Sequence, residues 1–379
     1  MLVAGEASGD ARGAELVRTL RQRNPGVDVF GMGGAQLRLA GMRVVYDVAK
    51  VTAVGLSEVF ENLRNLWLAY RLLRRLLLEQ RPSLLILVDF PEFNMRLARI
   101  AKRHGITVLY YISPQVWAWR PYRIRNIAAN VDAMAVVFPF EADLYSSFGM
   151  KQVTFVGHPL VDVVKPDRDR DSSLRGMGLD GSRLTVALMP GSRRTEVASL
   201  IGPMIEAAGR LARERDAQFI LIRANTIERS ELERAVAGAS VTVRIVDGDT
   251  YNMLAAADLV WVASGTATLE AGLLKKPMVI TYRLSPLSYW LGRWLIRVNH
   301  IGMVNIVAGE RVVPELLQSE VTAERILAET RRMLQPEVHR TVVAKLADVQ
   351  RLLGPPGAPE RVAEMAMALL DEAAAGTRR

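Results

Sequence analysis

Asp89 closes a run of five apolar residues, Leu84–Val88, and is followed by Phe90-Pro91-Glu92-Phe93-Asn94. A carboxylate at the end of an apolar strand is partly withdrawn from water, which penalises its charged form and makes it a better base. A second carboxylate nearby, Glu92 or Glu6, would push the same way. Asp89 is therefore a candidate general base; capping a helix that starts near Asn94 is the alternative. A second turn of the same kind, Gly5-Glu6-Ala7-Ser8-Gly9-Asp10, follows Leu2-Val3-Ala4. Its acidity would repel a phosphate, so Gly5, Glu6, Ser8 and Asp10 suit a sugar or another hydroxyl-bearing ligand. Ser8 or Asp10 as a helix cap, with glycines for the bend, is equally compatible.

The second half carries turns of the opposite character. Leu259–Val262 leads into Ser264-Gly265-Thr266-Ala267-Thr268-Leu269-Glu270, and Thr185–Met189 leads into Pro190-Gly191-Ser192-Arg193-Arg194. A helix start offers unpaired N–H groups and a positive dipole end, and glycine lets a ligand approach the backbone. Either turn alone is an ordinary helix cap. Together, with Arg193 as a fixed cation, they match a nucleotide diphosphate site lined by Gly191, Ser192, Ser264, Gly265, Thr266, Thr268 and Glu270.

Other candidates are weaker. Ser113-Pro-Gln-Val-Trp-Ala-Trp-Arg120 is an aromatic loop suited to an acceptor wall or to core packing. His158, between Gly157 and Pro159, is a structural or a catalytic histidine. Asp247-Gly248-Asp249 has the shape of a metal clamp but no further ligand in view, so no metal and no cofactor are expected. Gly31-Met32-Gly33-Gly34 is not a dinucleotide fingerprint.

The elements that must position these residues alternate strand and helix. Strands are expected near 2–4, 27–30, 84–88, 107–112, 133–138 and 153–156, then again near 185–189, 218–222, 242–246, 259–262 and 278–282. This predicts an α/β chain of two doubly wound, Rossmann-like domains facing a cleft, with ligands at the carboxyl ends of the strands. Residues 1–165 form the expected acceptor- and membrane-facing domain, with 166–180 as linker at the start of the second. Residues 166–345 form the nucleotide-sugar domain, and 346–379 form helices packing back on the first domain or on a partner.

With 379 residues, half of them apolar and 23% charged, the chain is globular and long enough for two cores. It has no cysteine, which excludes disulfides and thiolate metal sites. No secretory n-region or membrane-length apolar run is evident, so a cytoplasmic location is expected. The net charge of +9 suits an anionic partner. No zinc-finger spacing or RNA-binding signature is present, which argues against nucleic acid.

One helix, about 58–80, points to a membrane surface instead. Val59, Leu63, Leu66, Tyr70, Leu73 and Leu77 form a core-facing stripe. Arg64, Arg71, Arg74 and Arg75 occupy an adjoining arc of about 100° that also holds Phe60 and Trp67. Aromatics among arginines on an exposed face suit an anionic lipid surface. Burial of every apolar group, with solvated arginines, is the alternative. Tyr289–Arg297 is a second aromatic-basic segment.

Jointly, Val3-Ala-Gly-Glu-Ala-Ser-Gly-Asp10, Asp89-x-Pro-x-Phe-Asn94, Ser113–Arg120, Phe138-Pro-Phe-Glu141, Gly157-His158, Pro190-Gly-Ser-Arg193, Ser264–Glu270 and Asn305 closely resemble the lipid-A-disaccharide synthase family over nearly the whole chain. The resemblance implies a GT-B glycosyltransferase fold and a metal-independent, inverting transfer. UDP-2,3-diacylglucosamine would be the donor and 2,3-diacylglucosamine 1-phosphate (lipid X) the acceptor. The product would be a β-1,6 disaccharide 1-phosphate. It implies activity roles for Asp89, Ser8, Arg193 and Asn305, and a peripheral place on the anionic inner-membrane surface; a homodimer stays open. Members of that family usually carry several more residues before Val3; starting at Met1 leaves the first strand very short, which implies either a misassigned start or a weak sheet edge. The competing readings are a UDP-N-acetylglucosamine 2-epimerase, another UDP-sugar enzyme of this fold, and a non-catalytic nucleotide-binding peripheral membrane protein.

Overall fold

Short apolar runs form the strands because parallel strands are covered on both faces and have no solvent side to mark with polar residues. In the computed structural model, which describes residues 1–50, 59–118, 121–284 and 299–376, two all-parallel sheets result. The first contains β1 (Leu2–Ala4), β2 (Phe30–Gly33), β3 (Arg43–Asp47), β4 (Leu84–Val88), β5 (Thr107–Tyr111), β6 (Ala133–Val136) and β7 (Gln152–Phe155), in the order β3-β2-β1-β4-β5-β6-β7. The second contains β8 (Leu184–Met189), β9 (Ala217–Ile222), β10 (Val243–Val246), β11 (Leu259–Ala263), β12 (Met278–Tyr282) and β13 (Glu315–Leu317), in the order β10-β9-β8-β11-β12-β13.

Between the strands of the first sheet run α1 (Ala7–Arg23), α2 (Ala35–Leu39), α3 (Val59–Gln80), α4 (Pro91–Arg103), α5 (Ile124–Asn130) and α6 (Pro139–Ser147). With the second sheet go α7 (Leu160–Val163), α8 (Arg170–Gly176), α9 (Arg194–Glu214), α10 (Arg229–Val236), α11 (Thr250–Ala256), α12 (Ala267–Leu273), α13 (Met303–Ala308), α14 (Ala323–Met333) and α15 (Pro336–Leu352). Helix α16 (Ala358–Gly376) returns to the first sheet's unit, where Arg23 pairs with Glu364 at 2.8 Å. The chain thus divides into Met1–Pro159 with Gly354–Arg379, and Leu160–Leu353. The boundaries fall at 159/160 and 353/354, where 165/166 and 345/346 were expected.

Three expectations are corrected. β1 is short but lies between β2 and β4, so it is a central strand and not a sheet edge. The 166–180 stretch is not a free linker: its Arg170–Gly176 part folds as α8, and Arg170 binds the Asp258 carboxylate through two nitrogens at 2.9 Å each. In α3, Leu73 and Leu77 enter the core as expected, whereas Leu63 is 59% exposed.

The strand orders place the chemistry. In each sheet the chain first winds outward on one side and then restarts beside its first strand, leaving a crevice at the carboxyl ends of two neighbours. That switch point falls between β1 and β4 in the first sheet and between β8 and β11 in the second. The two acidic turns follow β1 and β4; the two phosphate-type turns follow β8 and β11.

Candidate functional site

At the first switch point Asp89 and Phe90 both take left-handed backbone angles, φ +48° and +51°. For side chains with a Cβ this costs roughly 1–2 kcal/mol per residue. Pro91 then opens α4 directly. Asp89 is pushed up to about 6, first by burial and then by the charge of Glu6; the Phe90 N–H opposes both. Such a carboxyl is ionised near neutrality yet holds a proton well, as a base requires. Glu92 is not the second carboxylate: it is exposed and paired with Arg123.

Gly5 is buried, and a Cβ there would collide with the ring of Phe90, so glycine lets the two turns close on each other. Glu6 and Ser8 are exposed at the start of α1, available to a ligand. Asp10 is buried and is not the cap of its own helix. Its carboxylate accepts from Gly34 N at 2.6 Å, Gln36 N at 3.0 Å and Leu37 N at 3.2 Å, capping α2. A Cβ on Gly34 would lie 2.7 Å from Asp10 Oδ2, which explains a glycine there without any dinucleotide.

The aromatic loop after β5 is fastened by Glu141, the last residue of the Phe138-Pro-Phe-Glu141 motif. Glu141, fully buried in the first turn of α6, accepts from Ser113 Oγ at 2.5 Å, Trp117 Nε1 at 2.9 Å and Phe138 N at 3.1 Å. Burial raises it to about 7, against the pull of these donors. Its spacing in Phe138-Pro-Phe-Glu141 was visible; its partners, 24 and 28 residues upstream, were not. His158 packs 5.1 Å from the Phe138 ring, and burial, then Arg12, lowers it to about 3, so it sits there neutral. Trp119 and Arg120 lie outside the described residues.

The second switch point opens on a cavity of about 830 Å³ lined by Gly191, Ser192, Arg193, Ser264, Gly265, Thr266 and Glu270, among others. Arg193 is 79% exposed and only loosely paired with Glu196. The N–H groups of Ser192 and Arg193 are not open to a ligand, because Glu196 accepts both, at 3.1 and 3.3 Å. Gly191, φ +121°, makes room for that carboxylate. The phosphate chemistry left on this turn is the Arg193 side chain.

Gly265, φ +151°, has open space where a Cβ would point, so a ligand meets bare backbone there. Two neighbours brace this turn from within. Thr268 is buried and its hydroxyl donates to Gly265 O at 2.8 Å; Ser264 Oγ donates to Ile301 O at 2.9 Å. Asn305 is also buried and fully occupied. Its Nδ2 donates to Val313 O and Glu315 Oε1, both at 2.9 Å, and its Oδ1 accepts from Val312 N and Val313 N. Glu315 in turn accepts from Gly302 N at 2.8 Å and Ile301 N at 3.0 Å. Asn305 is thus tied to the 264 turn through Glu315, Ile301 and Ser264.

Asp247 is held by Arg223 and Arg229, and Asp249 by Arg168 and Asn252, so the two carboxylates of the apparent metal clamp face cations and an amide. Among the described residues no group of three or more acidic or histidine side chains is arranged to hold a metal ion.

On α3, Arg64, Arg71, Arg74 and Arg75 are exposed together with Trp67, at 54%, and Leu68, at 40%. The Arg71 guanidinium stacks over the Trp67 ring at 4.5 Å. The side chain of Phe60 and the Tyr289–Arg297 segment lie outside the described residues. No helix among the described residues is long and apolar enough to cross a membrane.

Two doubly wound parallel sheets, each with a loaded switch point, are the architecture of GT-B glycosyltransferases and of the epimerases that share their fold. Solved structures agree. A UDP-GlcNAc 2-epimerase from Neisseria meningitidis, bound to UDP-GlcNAc, matches with a TM-score of 0.67 at 13% identity, covering 97% of this chain and 99% of that one. The glycotransferase of kitacinnamycin matches with 0.66 at 16% identity, covering 97% and 98%. Sequence separates the two possibilities. The family model for lipid-A-disaccharide synthetase matches residues 1–353. Lipid-A-disaccharide synthases from Geobacter metallireducens and Syntrophus aciditrophicus are 48% and 47% identical, each alignment spanning 98% of this chain and 97% of the relative. The chain belongs to the lipid-A-disaccharide synthase family and is a glycosyltransferase, not an epimerase.

Proposed function

We propose that the chain joins UDP-2,3-diacylglucosamine to 2,3-diacylglucosamine 1-phosphate, giving the β-1,6-linked disaccharide 1-phosphate and UDP. Asp89 accepts the proton of the acceptor 6-hydroxyl as that oxygen bonds to the donor's anomeric carbon. The carbon–oxygen bond to the diphosphate breaks on the opposite face, and UDP leaves with the electron pair. Negative charge then grows on the diphosphate, where the Arg193 guanidinium and the backbone at Gly265 and Thr266 offset it. Glu270 accepts from the ribose hydroxyls, and Glu6 and Ser8 meet the acceptor sugar. The observation that carries this reading is Asp89, half-buried at a switch point and raised to about 6 beside Glu6.

Both substrates carry acyl chains, so the enzyme has to work at a lipid surface. The exposed Trp67, Leu68 and arginines of α3 suit an interfacial helix lying on anionic headgroups, the aromatic at the acyl boundary and the cations in the phosphate layer. UDP release assayed with and without the acylated acceptor tests the reading: release that depends on the acceptor supports it, and acceptor-independent turnover of the UDP-sugar contradicts it.

A further inference from the structure

The strained turn that carries Asp89 is held shut from behind. Asp89 and Phe90 are consecutive residues in the left-handed region, an arrangement that persists only where its surroundings over-determine it. Two side chains converge on one atom to do so. The Asp89 carbonyl oxygen accepts from Asn94 Nδ2 at 2.6 Å and from the Tyr110 hydroxyl at 2.5 Å. Asn94 also donates to Val88 O, the last residue of β4, at 3.3 Å. Both side chains are fully buried, Asn94 in α4 and Tyr110 in the neighbouring strand β5. Asn94 Oδ1 is buried with no hydrogen-bond partner, so the amide is turned to serve the turn at the expense of its own acceptor. A side chain kept only for helix capping would not sit this way, and no part of the reaction calls for either residue directly.

We propose that Asn94 and Tyr110 are positioning residues that clamp the Asp89 carbonyl, forcing the left-handed turn that aims the Asp89 carboxylate at the acceptor hydroxyl. This rests on Asp89 as the base. Released from the clamp, the turn relaxes toward ordinary backbone angles and the carboxylate swings into water. A misplacement of about an ångström is enough to cost about a hundredfold in rate. The titratable groups facing Asp89 are Glu6, from the turn after β1, and the Tyr110 phenol itself; Glu92 of α4 is occupied by Arg123. Solvation of the freed carboxylate therefore moves its titration down toward the ordinary carboxylate range.

The test compares Tyr110→Phe, Asn94→Ala and the double variant with the parent protein and with Asp89→Asn, using the full chain and both acylated substrates. Each single change is expected to lower kcat about tenfold and the pair about a hundredfold, with KM within about twofold. The acid limb of the kcat–pH profile should shift to lower pH. Loss of kcat with an unmoved limb indicates general damage and overturns the proposal, as does an unchanged kcat. Tyr110→Phe removes a single oxygen, so it decides the matter if Asn94→Ala does not fold. If Asp89→Asn itself retains turnover, the base assignment fails; if it is inactive while the clamp variants behave as the parent, only the clamp fails.

Discussion

The two switch points share a topology and carry opposite chemistry. After β1 and β4 stand Glu6 and Asp89, carboxylates close enough to raise one of them; after β8 and β11 stand Arg193 and a glycine turn with bare backbone. Parallel winding only guarantees a crevice. What each crevice does is decided by a few residues at strand ends. A carboxylate whose charge is made uncomfortable is useful for taking a proton, while an exposed guanidinium is useful for holding a leaving diphosphate. The contrast also extends to support. The acidic point is fixed by side chains gripping backbone, Asn94 and Tyr110 on Asp89 O. The basic point is fixed through the Asn305–Glu315 network, which reaches Ser264 by way of Ile301.

That division can be broken on either side. Asp89→Asn should lower kcat about a thousandfold while UDP binding, measured by calorimetry, is retained. It should also stabilise the fold at neutral pH. The native Asp89 carboxyl holds its proton to about 6 and the unfolded one to near its ordinary 3.8, so the folded state binds more protons in that window. Stability contributed by this group therefore falls as pH rises from about 4 to about 6, and a neutral amide avoids the loss. A variant that melts lower than the parent at pH 7 would contradict this.

Arg193→Ala should cost about a hundredfold in kcat, by loss of one preorganised donor to developing charge. Asn305→Ala should act on the fold, since it strands buried donors and an acceptor. An expected loss of about 1–3 kcal/mol in urea unfolding checks it, with Arg193 chemistry surviving in the folded fraction. The smallest effect belongs to the lipid surface. Trp67→Ser with Arg71→Glu should weaken partition onto anionic vesicles about tenfold and leave UDP binding unchanged; unaltered partition would remove α3 from the docking account.

Much of this was legible in residue order. Buried parallel strands announce themselves as apolar runs, so Leu84–Val88 and Met278–Tyr282 were placed to the residue, and the turns that follow them held the candidate chemistry. β3 was not legible, because Arg43–Asp47 is a partly exposed edge strand with charged ends, and β13 is only three residues long. Spatial order was not legible either: the first strand in sequence is a middle strand of its sheet. Nor were long-range hydrogen bonds. Asp10 and Asn305 look like site residues by their motifs, yet their side chains are fully engaged with backbone or with Glu315. Periodicity likewise assigned Leu63 to the core stripe, but Leu63 is exposed; among the described residues the helix packs on the core from Leu66 onward, with Ala69, Leu73 and Leu77 fully buried.

The pH dependence of kcat/KM and of kcat bears most directly on the central claim, that burial and Glu6 together make Asp89 the base. In kcat/KM, which reports the free enzyme, a single acid limb with its midpoint at about 6 is the predicted result, and the limb of either profile moves to lower pH in Glu6→Gln. A profile flat from pH 5 to 8, or a limb that Glu6→Gln leaves in place, would contradict it.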